Sequence, residues 1–244
     1  MANTRNIALN VLLKIENEGA YSNIALNNAI KENRLSGVDS SFVSALVYGV
    51  LERRITLDYI IRSYSKIPLR KIETKTKNIL RLGILQLLFM DKVPDSAAVN
   101  ESVNLAKKHK LQKSSGFING ILRNITRAED KYTLPDEKDR VRYLSVKYSV
   151  PENIVKLWIN SYGENNTEQL LASLNGRAKI CCRVNTLRTD ADTLIKKLSD
   201  EALLRRKFPL LTTHSILKIQ ARLKDSERTS PDFFIFRMRQ ASFV

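Results

Sequence analysis

The stretch from Glu73 to Phe89 constrains the fold of this chain more than any other. Within it Ile79, Leu80, Leu82, Gly83, Leu87 and Leu88 occupy much of a helix circumference instead of one stripe. A helix that is apolar on several sides has to be covered on several sides, so it belongs at the centre of a helical bundle. The flanking segments supply the cover. Ile7, Ala8, Val11, Leu12 and Ile15 share one helical face, and Gly19 stands where a helix C-terminus favours glycine. A second helix is predicted from Ser22, with Ile24, Ala25, Ala29 and Ile30 inward. After the Ser36-Gly37 break, a third carries Phe42, Leu46, Val47, Val50 and Leu51, with Asp39 or Ser40 as its N-cap.

Leu57, Ile60, Ile61 and Tyr64 continue the stripe in a fourth helix. Beyond the central segment, Ala97, Ala98, Val99, Val103, Leu105 and Ala106 mark another, and Ser114 is read as the cap of a last one carrying Phe117, Ile118, Ile121, Leu122 and Ile125. The expected fold class is therefore mostly α: a seven-helix bundle over residues 1–128, then a helical connector over 138–176. Residues 177–200 change period, with a strand-like KICCRVNT before a helix, and read as the start of a small α/β subdomain. The tail, 201–244, is atypical and contains no glycine, the last being Gly176.

The formal net charge of +16 points to a polyanionic partner, and nucleic acid is the commonest. Lys107, Lys108, Lys110 and Lys113, with His109 among them, cluster around one helix end and the following turn; Arg5, Arg123 and Arg127 join them if their helices are neighbours. These seven Lys and Arg residues are the candidate RNA-binding set, suited to phosphate contacts. Tyr21 and Phe117 are available for base stacking but read better as core residues. Asn100 and Glu101 read as a hydrogen-bonded core pair or a cap network. Cys181 and Cys182 are adjacent, a poor geometry for a mutual disulfide, and the two histidines are far apart, so no metal site is expected. No stretch approaches the length of a membrane span, and a cytoplasmic setting is expected.

Three blocks together carry a family resemblance: LVYGVLERRITLDYII (46–61), RLGILQLLFMDKVPDSAAVNESVNLAKKH (81–109) and GFINGILRNI (116–125). They resemble the NusB-like RNA-binding fold and, more closely, the N-terminal domain of the bacterial small-subunit ribosomal RNA cytosine-C5 methyltransferases of the Sun/Fmu type. YSVPENIVKLWINSYG (148–163) and CRVNTLRT (182–189) are similar to the segments preceding that family's catalytic domain. The resemblance implies small-subunit ribosomal RNA as partner and S-adenosylmethionine as cofactor of the intact enzyme, with none expected in this chain. It also implies two catalytic cysteines in Pro-Cys and Thr-Cys contexts; Cys181 and Cys182 stand in neither, so no catalytic residue is assigned. The loss of resemblance near 201 leads to the expectation of a product truncated or frame-disrupted before the catalytic domain, inactive by itself. The alternative expectation is a NusB-type transcription antitermination or regulatory factor, and a protein partner or a homodimer through the bundle remains compatible with either.

Overall fold

The computed structural model describes residues 4–174, 179–185, 187–190, 192, 193 and 196, together with the strands Ile216–Ile219 and Phe233–Met238. Most of the tail, including the Leu-Leu-Arg-Arg-Lys run, lies outside the described residues. The chain divides into two compact units, residues 1–160 and 161–244.

In the first unit the helices are α1 (Thr4–Glu18), α2 (Ser22–Glu32), α3 (Gly37–Glu52), α4 (Arg54–Tyr64), α5 (Thr74–Phe89), α6 (Asp95–Lys108), α7 (Gln112–Arg127) and α8 (Arg140–Tyr148). α9 (Glu152–Tyr162) crosses the boundary of the units. The central position expected for α5 is observed: every residue from Asn78 to Leu87 is buried, and α1, α3, α4, α6 and α7 all pack on it. Two glycines allow the close approach. A Cβ on Gly49 of α3 would lie 2.8 Å from Leu85 Cδ2, and one on Gly83 would lie 2.8 Å from Leu122 Cδ1 and 2.9 Å from Ser102 Oγ.

α5 also carries a charge cluster into this core. Arg81, 3% exposed, donates from Nε and Nη2 to the two carboxylate oxygens of Asp58 on α4, at 2.7 and 2.8 Å. Its Nη1 donates to Glu16 Oε2 on α1 at 3.0 Å and to Asn78 Oδ1 at 3.2 Å, and Asn78 Nδ2 donates to the same Glu16 oxygen at 2.8 Å. One guanidinium thus ties three helices together, in the planar two-oxygen geometry that arginine suits and lysine does not.

Several helix ends differ from the expected ones. The N-cap of α3 is Ser36, whose Oγ accepts from Asp39 N at 3.2 Å; Asp39 is the third helical residue, and Ser40 also lies within the helix. Ser114 is likewise inside α7, which begins at Gln112. Gly19 ends α1 with φ +67°, as expected, but α2 and α6 are closed by Arg34 (φ 46°) and Lys110 (φ 59°). At both, the following N–H reaches back five residues, Leu35 to Ile30 O and Leu111 to Ala106 O, which satisfies otherwise orphaned carbonyls. The core differs at two positions as well. Ile24 is 54% exposed, with Leu26 facing inward beside Ala25 instead, and Tyr21 is 77% exposed, not a core residue. Phe117 does pack against the core.

The polar stretch after α7 is tied to the bundle. Tyr64 Oη donates to Lys131 O at 2.8 Å, and Tyr132 lies against Phe89, whose ring also carries the Arg53 guanidinium at 4.9 Å. α8 then docks on α4: Thr56 Oγ1 donates to Val146 O at 2.5 Å, and Ile55 N donates to Ser149 Oγ at 3.0 Å. Ser149, in a left-handed conformation (φ 58°), therefore caps the N-terminus of α4 from about 90 residues away in sequence.

In the second unit, α10 (Glu164–Leu174) precedes β1 (Lys179–Val184), β2 (Ile216–Ile219) and β3 (Phe233–Met238). The strands form an antiparallel sheet in the order β2-β1-β3, with Ile180 opposite both Ile219 and Arg237. β1 is thus the central strand, paired along both sides. The structure is mostly helical, as its sequence implied.

Candidate nucleic-acid interface

α6 and α7 form an antiparallel helical hairpin joined by the three residues His109, Lys110 and Leu111. Between them runs an open trough. Its first part, about 480 Å³, is lined by Asn100, Val103, Asn104 and Lys107 from α6 and by Ser115, Gly116, Asn119 and Arg123 from α7. Asn100 and Arg123 also line a second hollow of about 330 Å³, which carries the trough on to Ser96 and Arg127. The spacing of these residues puts them on one face of each helix: 96, 100, 104 and 107 on α6, and 116, 119, 123 and 127 on α7.

The trough has cations along its length and neutral amides between them. Lys107 stands near the turn and Arg127 at the far end, both exposed, with Arg123 between them donating from Nε to Asn119 Oδ1 at 3.0 Å. Asp95 is the acidic residue among the lining groups. Ammonium and guanidinium groups in this arrangement can meet phosphates, and amides can hydrogen-bond base edges or riboses.

Gly116 adds bare backbone to the wall. A Cβ there would meet nothing within 4 Å, so no packing explains a glycine inside a helix, where it costs roughly 0.5–1 kcal/mol relative to alanine. The open space there leaves room for a ligand to approach the backbone. Gly116→Ala is therefore expected to stabilise the chain by about 0.5 kcal/mol in urea unfolding while weakening RNA binding several-fold. Unchanged RNA affinity would mean that this wall is not approached.

Of the seven candidate residues, the structure brings Lys107, Arg123 and Arg127 together in the trough. Lys108, Lys110 and Lys113 are exposed around the hairpin turn. Arg5 is placed differently: it is half-buried, its Nε donates to Gln86 Oε1 at 2.7 Å, and its guanidinium lies 5.3 Å from the Phe42 ring centroid. Burial lowers its pKa, against the opposing influence of Glu101. His109 is a tie between helices as well, with Nε2 2.7 Å from Asn6 Oδ1 on α1. Burial and then the charges of Lys75 and Lys108 push its pKa down, so the ring is neutral near pH 7.

Asn100 is exposed in the trough, not a core or cap group, which corrects the reading made from its apolar neighbours in sequence. Asn104, Ser115, Gly116 and Asn119 were not singled out in the sequence. Their signal was the shared helical face with Lys107 and Arg123, which only the pairing of the two helices turns into a site. The trough is an open channel between helices, without the glycine-rich strand-to-helix turn that holds a nucleoside cofactor. It does not fit S-adenosylmethionine. Among the described residues no group of three or more His, Cys, Asp or Glu could hold a metal ion, and no helix is long and apolar enough to cross a membrane.

A helical bundle with a basic trough on one hairpin, followed by a second unit with an antiparallel sheet, defines the class. The chain belongs to the NusB family, which matches residues 2–127, just over half of its length. Residues 150–217 match a second family, the Methyltr_RsmF/B-like, ferredoxin-like domain. Among curated proteins the chain is 35% identical over 199 residues to the probable ribosomal RNA small subunit methyltransferase B of Bacillus subtilis (strain 168), covering 82% of this chain and 44% of that protein. It is also 36% identical over 124 residues to the transcription antitermination protein NusB of a Nocardioides species, covering 50% of this chain and 90% of that one. The chain thus spans less than half the length of the methyltransferase relative and nearly all of the antitermination protein. Among solved structures, the crystal structure of PH0851 shares the fold over 92% of this chain and 50% of its own, with a TM-score of 0.61 and 17% identity.

Proposed function

We propose that this chain is the RNA-recognition part of a ribosomal RNA methyltransferase of the small subunit methyltransferase B type, with the α6–α7 trough as its RNA contact. The observation that carries this reading is the succession of two matched domains in one chain, a NusB domain followed by the ferredoxin-like domain of the RsmF/B-like methyltransferases. A transcription antitermination factor accounts for residues 2–127 and leaves 150–217 without a role. Small-subunit ribosomal RNA is the proposed partner, the cytoplasm the proposed location, and S-adenosylmethionine the cofactor of the catalytic part that the longer relatives would carry.

In this reading the trough acts by position. Lys107, Arg123 and Arg127 hold the sugar-phosphate backbone, and Asn100, Asn104 and Asn119 meet whatever polar edges it presents. The resulting binding energy is used to place a target base, and methyl transfer takes place elsewhere in the intact enzyme. Phosphate contacts release counterions, so affinity should fall steeply with salt, by a slope of roughly 0.7–0.9 per phosphate neutralised. The test is a titration of small-subunit ribosomal RNA into the chain at low and raised salt, beside the double variant Lys107→Glu/Arg123→Glu. Salt-sensitive binding that the double variant loses supports the reading; equal binding by both proteins would reject the trough as the contact. Light scattering on the same samples reads out the homodimer expectation.

A further inference from the structure

We propose that Lys75, Lys108 and His109 form a phosphate site at the turn end of the α6–α7 hairpin, which takes the sugar-phosphate backbone where an RNA strand leaves the trough; the inference rests on the function proposed above. Three separate pieces of chain build this site. α5 and α6 pack together and are joined only by residues 90–94, so the N-terminus of α5 lies beside the C-terminus of α6. Lys75 stands in the first turn of α5, Lys108 is the last residue of α6, and His109 is its C-cap. α1 adds Asn6, whose Oδ1 is 2.7 Å from His109 Nε2. Lys107 lines the trough, and Lys108 and His109 carry the basic surface on round the end of the same helix.

The three groups lie close together without a counter-charge. The charges of Lys75 and Lys108 both act on the His109 ring, and no carboxylate is among the described groups that do. Neither lysine takes part in an ion pair among the described residues, whereas Lys77, two positions after Lys75, faces Glu16 at 3.9 Å. Lysines at the end of α6 complement the helix dipole and need no ligand to explain them. Lys75 is different. The first turn of α5 carries the positive end of its helix and holds no acidic residue, and Glu73, at the N-cap, makes no side-chain capping bond. A cation placed there adds repulsion that a bound anion relieves.

His109 gives the site a chemical signature. Asn6 Oδ1 can only accept, so Nε2 carries the proton of the neutral ring and Nδ1 keeps its lone pair. A phosphate drawn to Lys75 and Lys108 offsets the charges that oppose a second proton, so Nδ1 takes one and donates to a phosphate oxygen. The other groups at this end do not supply the counter-charge: Lys110 in the turn and Lys113 on α7 are basic, and on α1 Arg5 is engaged with Gln86. RNA binding through this site is therefore coupled to proton uptake, and affinity should rise as pH falls. Continuity with Lys107 in the trough favours a phosphate of the RNA backbone over a free phosphate ion.

The test measures small-subunit ribosomal RNA affinity from about pH 7.5 to about pH 5.5 for the full chain, Lys75→Gln/Lys108→Gln and His109→Gln, which keeps a donor for Asn6. Circular dichroism melts confirm the fold, and Lys31→Gln/Lys66→Gln removes two exposed charges elsewhere as a control. The expected result is about tenfold weaker binding by Lys75→Gln/Lys108→Gln, with a salt slope lower by roughly one, and near-normal binding by the control. Wild-type affinity should rise several-fold on acidification, and His109→Gln should lose most of that rise. Nuclear magnetic resonance titration of the His109 ring should show its pKa raised by the RNA and little changed by inorganic phosphate at the same ionic strength. Unchanged affinity of Lys75→Gln/Lys108→Gln, while Lys107→Glu/Arg123→Glu still abolishes binding, overturns this inference and leaves the trough standing. An equal loss in the control also overturns it, because net charge alone would then account for the effect. So does an equal response of the ring to inorganic phosphate, which would assign the site to the free ion. Indifference of every variant, Lys107→Glu/Arg123→Glu included, removes the proposed function too.

Discussion

Arg81→Ala should cost this chain about 3 kcal/mol or more, the scale for removing one partner from a buried ion pair and leaving the other charged. Asp58 and Glu16 are only 15% and 21% exposed, and without the guanidinium each keeps a carboxylate in surroundings that cannot hydrate it fully. Three helices lose a common tie, so urea unfolding should show a lower midpoint for the first unit as a whole. Arg81→Met combined with Asp58→Leu should recover much of the loss, because replacing a buried pair by apolar groups of similar volume is often nearly neutral.

The same cluster sets an acid dependence. Burial pushes the Glu16 carboxyl up, but the hydrogen bond from Asn78 and the charges of Arg81, Lys77 and Arg54 outweigh it, so its pKa lies below the ordinary 4.5. A carboxyl with a depressed folded pKa contributes stability that is complete above the ordinary value and lost as pH falls through the depressed one. Wild-type stability should therefore drop on acidification below about pH 4.5, and the drop should be shallower in Arg81→Ala. A variant as stable as wild type at pH 7 would show that the cluster does not hold the helices together.

Gly83→Val should be nearly as damaging, at about 3 kcal/mol. The first added carbon already falls 2.8 Å from Leu122 Cδ1 and 2.9 Å from both Leu122 Cδ2 and Ser102 Oγ. Leu122 is fully buried, and Ser102 Oγ is held by its bond to Ala98 O at 2.7 Å. The two methyl groups of valine would have to separate α5 from the α6–α7 hairpin. That displacement also spoils the trough, so RNA affinity should fall along with stability. Gly116→Ala, with open space around it, gives the opposite sign on stability, and a melt ranking the two the other way would contradict the packing described here.

The bundle was legible in the sequence where apolar residues repeat in a pattern that only burial explains. The many-sided apolar character of 79–88 gave the centre, and Gly19 gave the first helix end. Helix starts were less legible, because Ser36, Asp39 and Ser40 are all capable caps and only backbone geometry selects among them. Tyr21 looked like core because aromatic rings usually are, yet it sits at the turn before α2, where its ring has no cover. Arg81 escaped notice for the converse reason: an arginine among leucines reads as a solvated residue until Asp58 and Glu16, 23 and 65 positions away, are found beside it.

The candidate site was half legible. Clustered lysines mark one end of the hairpin from sequence alone. The amides and Gly116 become a site only when α6 and α7 lie side by side, and the internal contacts of Arg5 depend on Phe42 and Gln86, which are remote in sequence. Ser149 and Thr56 belong to the same class of hidden residues, since their roles exist only because α8 returns to α4.

The most direct measurement is the affinity of Lys107→Glu/Arg123→Glu for small-subunit ribosomal RNA, relative to the unaltered chain, at one fixed moderate salt concentration. A loss of about a hundredfold, with an unchanged melt and a shallower salt dependence, is the result expected if the trough holds the phosphate backbone. Wild-type affinity in a folded double variant would contradict it and move the RNA contact away from the α6–α7 hairpin.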